Sequence, residues 1–240
     1  MGEESSRDAV LAGVRRANAG RPAEEGGRVP WPPPPQSGIA LVDLFVARAE
    51  AAQACVLVVS GFDEARQRVA DILAKAAVSQ TVVSDDAWCS PWDMSQLSQE
   101  HRSRPENHSR SGFGDVIASA TCGGGSVTRM AKASGAGMTC AAYGIADSGT
   151  IVVCSGEAGG RVESLLPPLH LALLQATDIV PGLPELLAAL HGDARFEKSS
   201  AVTFITGPSR TADIELTLTI GVHGPKQLFV VIVAQGGSRA

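Results

Sequence analysis

Between residues 38 and 86 the apolar positions run through four segments of alternating rhythm. "IALVDLFVARAEAAQA" spaces them as a helix does, "CVLVVS" is a short unbroken apolar run, "FDEARQRVADILAKAAV" sets Phe62, Ala65, Val69, Ile72 and Leu73 on one stripe, and "QTVVSDD" is a second short run. A stripe at 3.6-residue spacing predicts an amphipathic helix, and a bounded apolar run predicts a strand buried on both faces. Helices alternating with buried strands build a mostly parallel sheet covered by helices, so the fold class expected here is α/β.

The same rhythm returns further along. "DVIASATCGGGSV" reads as a strand running into glycines, and Thr139–Tyr143 and Thr150–Cys154 as strands around the polar turn Ala146–Gly149. "LHLALLQ", "SAVTFIT" and "LFVVIV" read as further strands, with a helix from about Leu183 to Leu190. Two stretches break the pattern. Residues 1–37 read as a short amphipathic helix beginning at Ser5 or Ser6, followed by a stiff connector in which Pro30 and Pro32–Pro35 favour extended polyproline geometry. That arm is placed to lie on a partner or on another copy of the chain. Residues 85–114 carry Trp88, Trp92, His101 and His108 with no sustained period, and read as an irregular excursion from the 38–240 domain.

Composition narrows the function classes. The 240 residues carry a net charge of −5, which leaves no global basic field for nucleic acid. No apolar run reaches the length of a membrane span and no signal-peptide pattern opens the chain, so a cytoplasmic location is expected. Its opening, Met-Gly-Glu-Glu-Ser-Ser, matches the loose myristoylation pattern without a following basic cluster. Five cysteines (Cys55, Cys89, Cys122, Cys140, Cys154) lie apart with no C-x-x-C, so reduced thiols are expected and neither a metal nor an iron–sulfur cluster on this chain.

Candidate chemistry concentrates in "ITGPSRTADIELTLTIGVHGPKQ". Strand ends in open α/β sheets hold ligands, and here one ends at Gly207-Pro208. Gly207 allows close backbone approach, Pro208 suits the first turn of a helix, and Ser209 or Thr211 suits its cap, so free amides there would attract an anion. Arg210 adds a planar fork for a carboxylate or phosphate. Asp213 and Glu215 admit two readings: they orient Arg210 in an internal ion network, or they take part in proton transfer. His170 and His223 are either hydrogen-bonded structural residues or an acid/base pair, and Asp147 and Ser148 either close a hairpin or face a ligand. No G-x-G-x-x-G follows a strand, and "CGGGS" lacks the lysine of a phosphate loop.

Several segments resemble a known family. "YGIADSGTIVV", "GRVESLLPPLHLALLQATDIVP", "SSAVTFITGPSRTADIELTLTIGVHGP" and "LFVVIV" occur in the order of the signature segments of the LUD-domain family, in its C-type lactate-utilization branch. The likeness is strong from about Gly137 to Val233 and weaker over Ile39–Asp85. It implies a Rossmann-like sheet of the NagB/RpiA/CoA-transferase kind with helices on both faces. It also implies a role in oxidising L-lactate to pyruvate beside iron–sulfur partner subunits, whose ferredoxin-like cysteine motifs this chain lacks. A second function stays open: a stand-alone enzyme acting on a sugar phosphate or CoA ester, where a CoA transferase would need a nucleophilic glutamate, for which Glu157 and Glu163 are possible by type.

Overall fold

Helix α1 (Gly38–Ala51) opens the domain in the computed structural model, burying Leu41, Phe45 and Ala49 at successive four-residue steps. Described are residues 13, 16, 38–84, 92, 116–118, 124–155, 161–212, 218–220 and 224–234. The chain divides into two units, Met1–Pro33 and Pro34–Ala240, and every described strand belongs to the second. The expected arm at 1–37 lies outside the described residues except for Gly13 and Arg16; so do Trp88, His101, His108 and Cys122.

Strand β1 (Cys55–Val59) and helix α2 (Phe62–Lys75) follow. The predicted stripe on α2 is the buried one, with Ala65, Val69, Ile72 and Leu73 packed and Phe62 half-buried against the same core. Next come β2 (Thr81–Val83), β3 (Val116–Ala118), α3 (Gly124–Ala133), β4 (Ala136–Cys140), β5 (Tyr143–Ile145) and β6 (Thr150–Ser155). Helix α3 starts at the glycines into which the preceding strand was read to run. Its Gly124-Gly125 start has low helix propensity, and its later residues carry the helix. The remainder is α4 (Arg161–Leu165), β7 (Leu169–Gln175), β8 (Ile179–Val180), α5 (Leu183–Leu190), α6 (Ala194–Glu197), β9 (Ala201–Ile205), β10 (Arg210–Ala212), β11 (Leu218–Ile220) and β12 (Gln227–Val233).

Six strands in the order β1-β12-β7-β4-β2-β3 form an all-parallel sheet. All seven residues of β7 are buried, which is why "LHLALLQ" shows no polar alternation. One face packs on α2 and on Trp92, which is 2% exposed and sits edge-on to Phe62 with ring centroids 5.0 Å apart. Trp92 is thus part of this core. The other face packs on α1 and on a second sheet, so helices cover both faces.

That second sheet, in the order β8-β5-β6-β9, is what the apolar rhythm did not announce. The run expected as one strand at Thr139–Tyr143 crosses between sheets: the Ala141 amide donates to the Leu173 carbonyl at 2.8 Å in the main sheet, and the next amide, Ala142, donates to Val152 at 2.7 Å in the second. Strand β9 pairs antiparallel with β6 and so belongs to the second sheet, not the parallel one. Helix α5 closes the outer face over Tyr143, Val152 and Cys154. The expectation of five reduced thiols is corrected at Cys140, which is disulfide-bonded, while Cys55 and Cys154 form no disulfide.

Candidate functional site

Where β9 ends, the chain turns at Thr206–Ser209 and enters β10, which forms a two-stranded antiparallel ribbon with β11. No helix starts at Pro208. The expected helix-terminal amides are therefore replaced by a turn, because Arg210, Thr211 and Ala212 find partners in Ile220, Thr219 and Leu218 and continue as strand. Gly207 adopts φ +76°, and a Cβ placed on it would stand 2.1 Å from the carbonyl oxygen of Ala52. Both the backbone angle and the contact require glycine.

Ala52 caps the end of α1. The Ala54 amide donates to Ala49 and the Gln53 amide to Glu50, with Gln53 at φ 69°, which is the six-to-one and five-to-two pattern of a left-handed helix stop. The Ala52 carbonyl lies outside that pattern, and Arg210 Nη2 donates to it at 2.8 Å. A guanidinium at the carbonyl end of a helix also meets favourable partial charge. Arg210 is thus held toward α1 by one nitrogen of its fork.

The Ser209 amide donates to the Pro225 carbonyl at 2.9 Å, and Gly224 has no room for a side chain because its Cβ would stand 2.8 Å from Ser209 Cβ. The Gly207-Pro208 and Gly224-Pro225 turns, 17 residues apart in number, therefore lie against each other. Between them, α4 and the first residues of β7 and β12 opens a cavity of about 330 Å³. Gly207, Ser209 and Arg210 line it together with His170, and Leu165 and Phe204 form apolar, partly exposed walls. The cavity borders β7 and β12 at their amino ends. The carboxyl end of β9, the strand end singled out in the sequence, does reach the cavity, but β9 runs in the second sheet and not in the parallel one.

His170 is 1% exposed. Its Nε2 lies 2.8 Å from Thr139 Oγ1 on β4, its Nδ1 has no hydrogen-bond partner, and burial pushes its pKa down to about 4. The ring is therefore neutral at physiological pH. Gly137, the register partner of His170, shares its sheet face; a Cβ there would meet the Glu163 carbonyl oxygen at 1.8 Å. This glycine lets α4 settle onto the sheet beside the histidine.

The other candidates fall in different places. Thr211 lies in β10, while Asp213, Glu215 and His223 are outside the described residues, as is Glu157. Asp147 and Ser148 do not line the cavity. The Asp147 amide donates to Pro181, and Gly149, at φ +64°, packs so closely on α1 that a Cβ would stand 2.2 Å from the Ala49 nitrogen. Ser148 is nevertheless wired to the cavity: Thr150 donates to Ser148 Oγ at 2.8 Å, which leaves Thr150 to accept from Thr206, a lining residue, at 2.7 Å. Glu163 is fully buried and does not line the cavity.

One polar cluster escaped the sequence reading. Asp193 accepts the Tyr143 hydroxyl at 2.5 Å and the Arg195 guanidinium at 2.7 Å, while Arg195 also donates to the Ala142 carbonyl and stacks over the Tyr143 ring at 4.6 Å. Burial works against the charge on Asp193, but the hydrogen bonds from Arg195 and Tyr143 prevail and hold its pKa at about 2. The same carboxylate caps α6 through the Arg195 amide at 2.8 Å. "Gly-Asp" before a short helical run was the signal for the cap; the partners across the second sheet had none. No group of three or more potential metal ligands occurs among the described residues, and no helix among them is long and apolar enough to cross a membrane.

An open parallel sheet with helices on both faces, bearing a second sheet whose edge turn walls a small cavity, defines an α/β protein of the Rossmann-like kind. The chain belongs to the LUD domain family, whose pattern matches residues 42–233. A DUF162 family protein from Deinococcus radiodurans has a crystal structure similar at a TM-score of 0.58 and 21% identity, covering 83% of this chain and 100% of that one, a likeness of fold. A lactate utilization protein C from Halalkalibacterium halodurans is 38% identical over 109 residues, 45% of this chain and 47% of that protein. Another from Geobacillus sp. (strain WCH70) is 38% identical over 107 residues, and the uncharacterized protein YkgG of Escherichia coli K12 is 38% identical over 106. The matched stretch spans about half the length of these curated relatives.

Proposed function

We propose that this chain is a component of a lactate-utilization system, in which its cavity holds a small carboxylate and its surface organises partner subunits that carry iron–sulfur clusters. The observation that carries the reading is the meeting of the two Gly-Pro turns, with Ser209, Arg210 and His170, around one cavity. The names borne by the relatives supply the substrate class. In this reading the chain binds no cofactor of its own, and electrons leave lactate through the partners. Arg210 offers the carboxylate the remaining donors of its fork, and Ser209 offers a hydroxyl.

The chemistry of the described wall disfavours a phosphoester or CoA-ester enzyme. Arg210 is the one cation among the described lining residues, and Glu163 presents no carboxylate to the cavity. A test is growth of the source organism on L-lactate as sole carbon source after deletion of this chain. Loss of growth, restored by the intact chain and not by Arg210→Ala at equal protein level, is the expected result. Normal growth of the deletion strain sinks the lactate role, and full rescue by Arg210→Ala sinks the cavity as its centre.

A further inference from the structure

The cavity is larger than lactate requires, and its walls divide into one charged position and an apolar remainder. We propose that its ligand is a monocarboxylate larger than lactate with a branched or aromatic body, its carboxylate held at Arg210 and its body lodged between the two sheets. The proposal rests on the carboxylate-binding reading and adds the size and polarity of the rest of the ligand.

Size comes first. A volume of about 330 Å³ corresponds to about eleven water molecules at ~30 Å³ each. Lactate, a three-carbon acid, displaces roughly four of them, and the rest would stay against walls that gain nothing from water. Cavities of this volume suit ligands several times larger.

Charge limits what the larger ligand can be. No carboxylate occurs among the described lining residues, and His170, at a pKa of about 4, is neutral at physiological pH, so Arg210 carries the wall's one charge. One guanidinium balances one negative charge; a phosphate dianion would be left half balanced. Arg210 is also exposed, so the carboxylate sits at the solvent side and the rest of the ligand reaches inward.

Inward lies the apolar side. Leu228, the register partner of His170, is 3% exposed and belongs to the core cluster that also holds Ile151 and Val153. Those two are the register partners of Ile205 and Thr203, so β9 turns Ile205 and Thr203 toward the same interior, and both line the cavity with Leu228. Leu165, 39% exposed at the end of α4, completes the apolar side with Pro208 and Pro225. An apolar body there is removed from water together with the wall it covers, which lactate's single methyl group does only in small part.

The test is calorimetric titration of the full chain at pH 7 with L-lactate, L-2-hydroxyisocaproate and L-3-phenyllactate, and with 3-phenyl-1,2-propanediol, in which an alcohol replaces the carboxylate. The two larger acids are expected to bind about tenfold tighter than lactate or better, as burial of two or more further methylene equivalents gives, and the diol not measurably. Leu165→Ser, at a partly exposed site, is expected to narrow the gap between the larger acids and lactate about threefold, and Arg210→Ala to weaken all three acids. Lactate binding as tightly as the larger acids, or an unchanged gap in Leu165→Ser, overturns the apolar body and leaves the carboxylate reading standing. Tight binding of the diol, unchanged acid binding in Arg210→Ala, or no binding of any acid overturns the carboxylate anchor, and the proposal with it.

Discussion

Lowering the pH from 7 to 4 should cost this protein stability through His170 alone, by an amount the structure allows to be worked out. The buried ring titrates at about 4 against an ordinary value of 6.5. Between those values the unfolded chain binds a proton that the folded chain refuses, so acid favours unfolding and stability rises with pH across the window. A difference of about 2.5 units at 1.36 kcal/mol each amounts to ~3 kcal/mol, of which ~2 kcal/mol is lost by pH 5. The assay is urea unfolding of the intact chain and of His170→Gln at pH 7 and pH 5. Glutamine does not titrate, and the carboxylates common to both proteins cancel in the comparison. The intact chain should lose ~2 kcal/mol more than His170→Gln between the two pH values, even though the variant starts less stable. Parallel losses in the two proteins would refute the buried, neutral histidine, and a smaller loss in the intact chain would reverse the sign of the argument.

Gly207→Ala forces a Cβ toward the Ala52 carbonyl at a backbone angle that favours glycine, so thermal melting should show a loss of at least ~1–2 kcal/mol; an unchanged melting temperature would mean the turn does not hold α1. Tyr143→Phe removes one hydrogen bond to Asp193 and should cost ~1 kcal/mol, whereas Arg195→Met leaves the carboxylate without its guanidinium and should cost more, read by urea unfolding at pH 7. Asp193 titrates at about 2 when folded, below its ordinary 3.8, so its contribution is complete above 3.8 and fades as pH falls toward 2. Asp193→Asn should therefore be less stable than the intact chain at neutral pH, with the gap narrowing in acid; a constant gap would remove the charged pair as its cause.

Apolar rhythm is a local property, which is why α2 and β7 could be read from the chain: the stripe Phe62–Leu73 and the run "LHLALLQ" each contain their own evidence. The α/β class followed from their alternation, and the candidacy of Gly207, Ser209 and Arg210 from their types and neighbours. Sheet membership is different in kind. Nothing within "SAVTFIT" states whether its hydrogen bonds go to β6 or to the central strands, since any buried strand offers the same backbone groups. The helix expected after Pro208 failed for the same reason, because the partner that turns Arg210–Ala212 into strand lies at Leu218–Ile220. His170 could be named as a candidate by type, but its charge state is set by complete burial, which only the packed structure supplies. Two Gly-Pro turns were visible as separate blocks in the sequence. That they enclose one cavity, at the amino ends of β7 and β12, was decided by the packing of two sheets across α1, where contacts between distant residues outweigh every local preference.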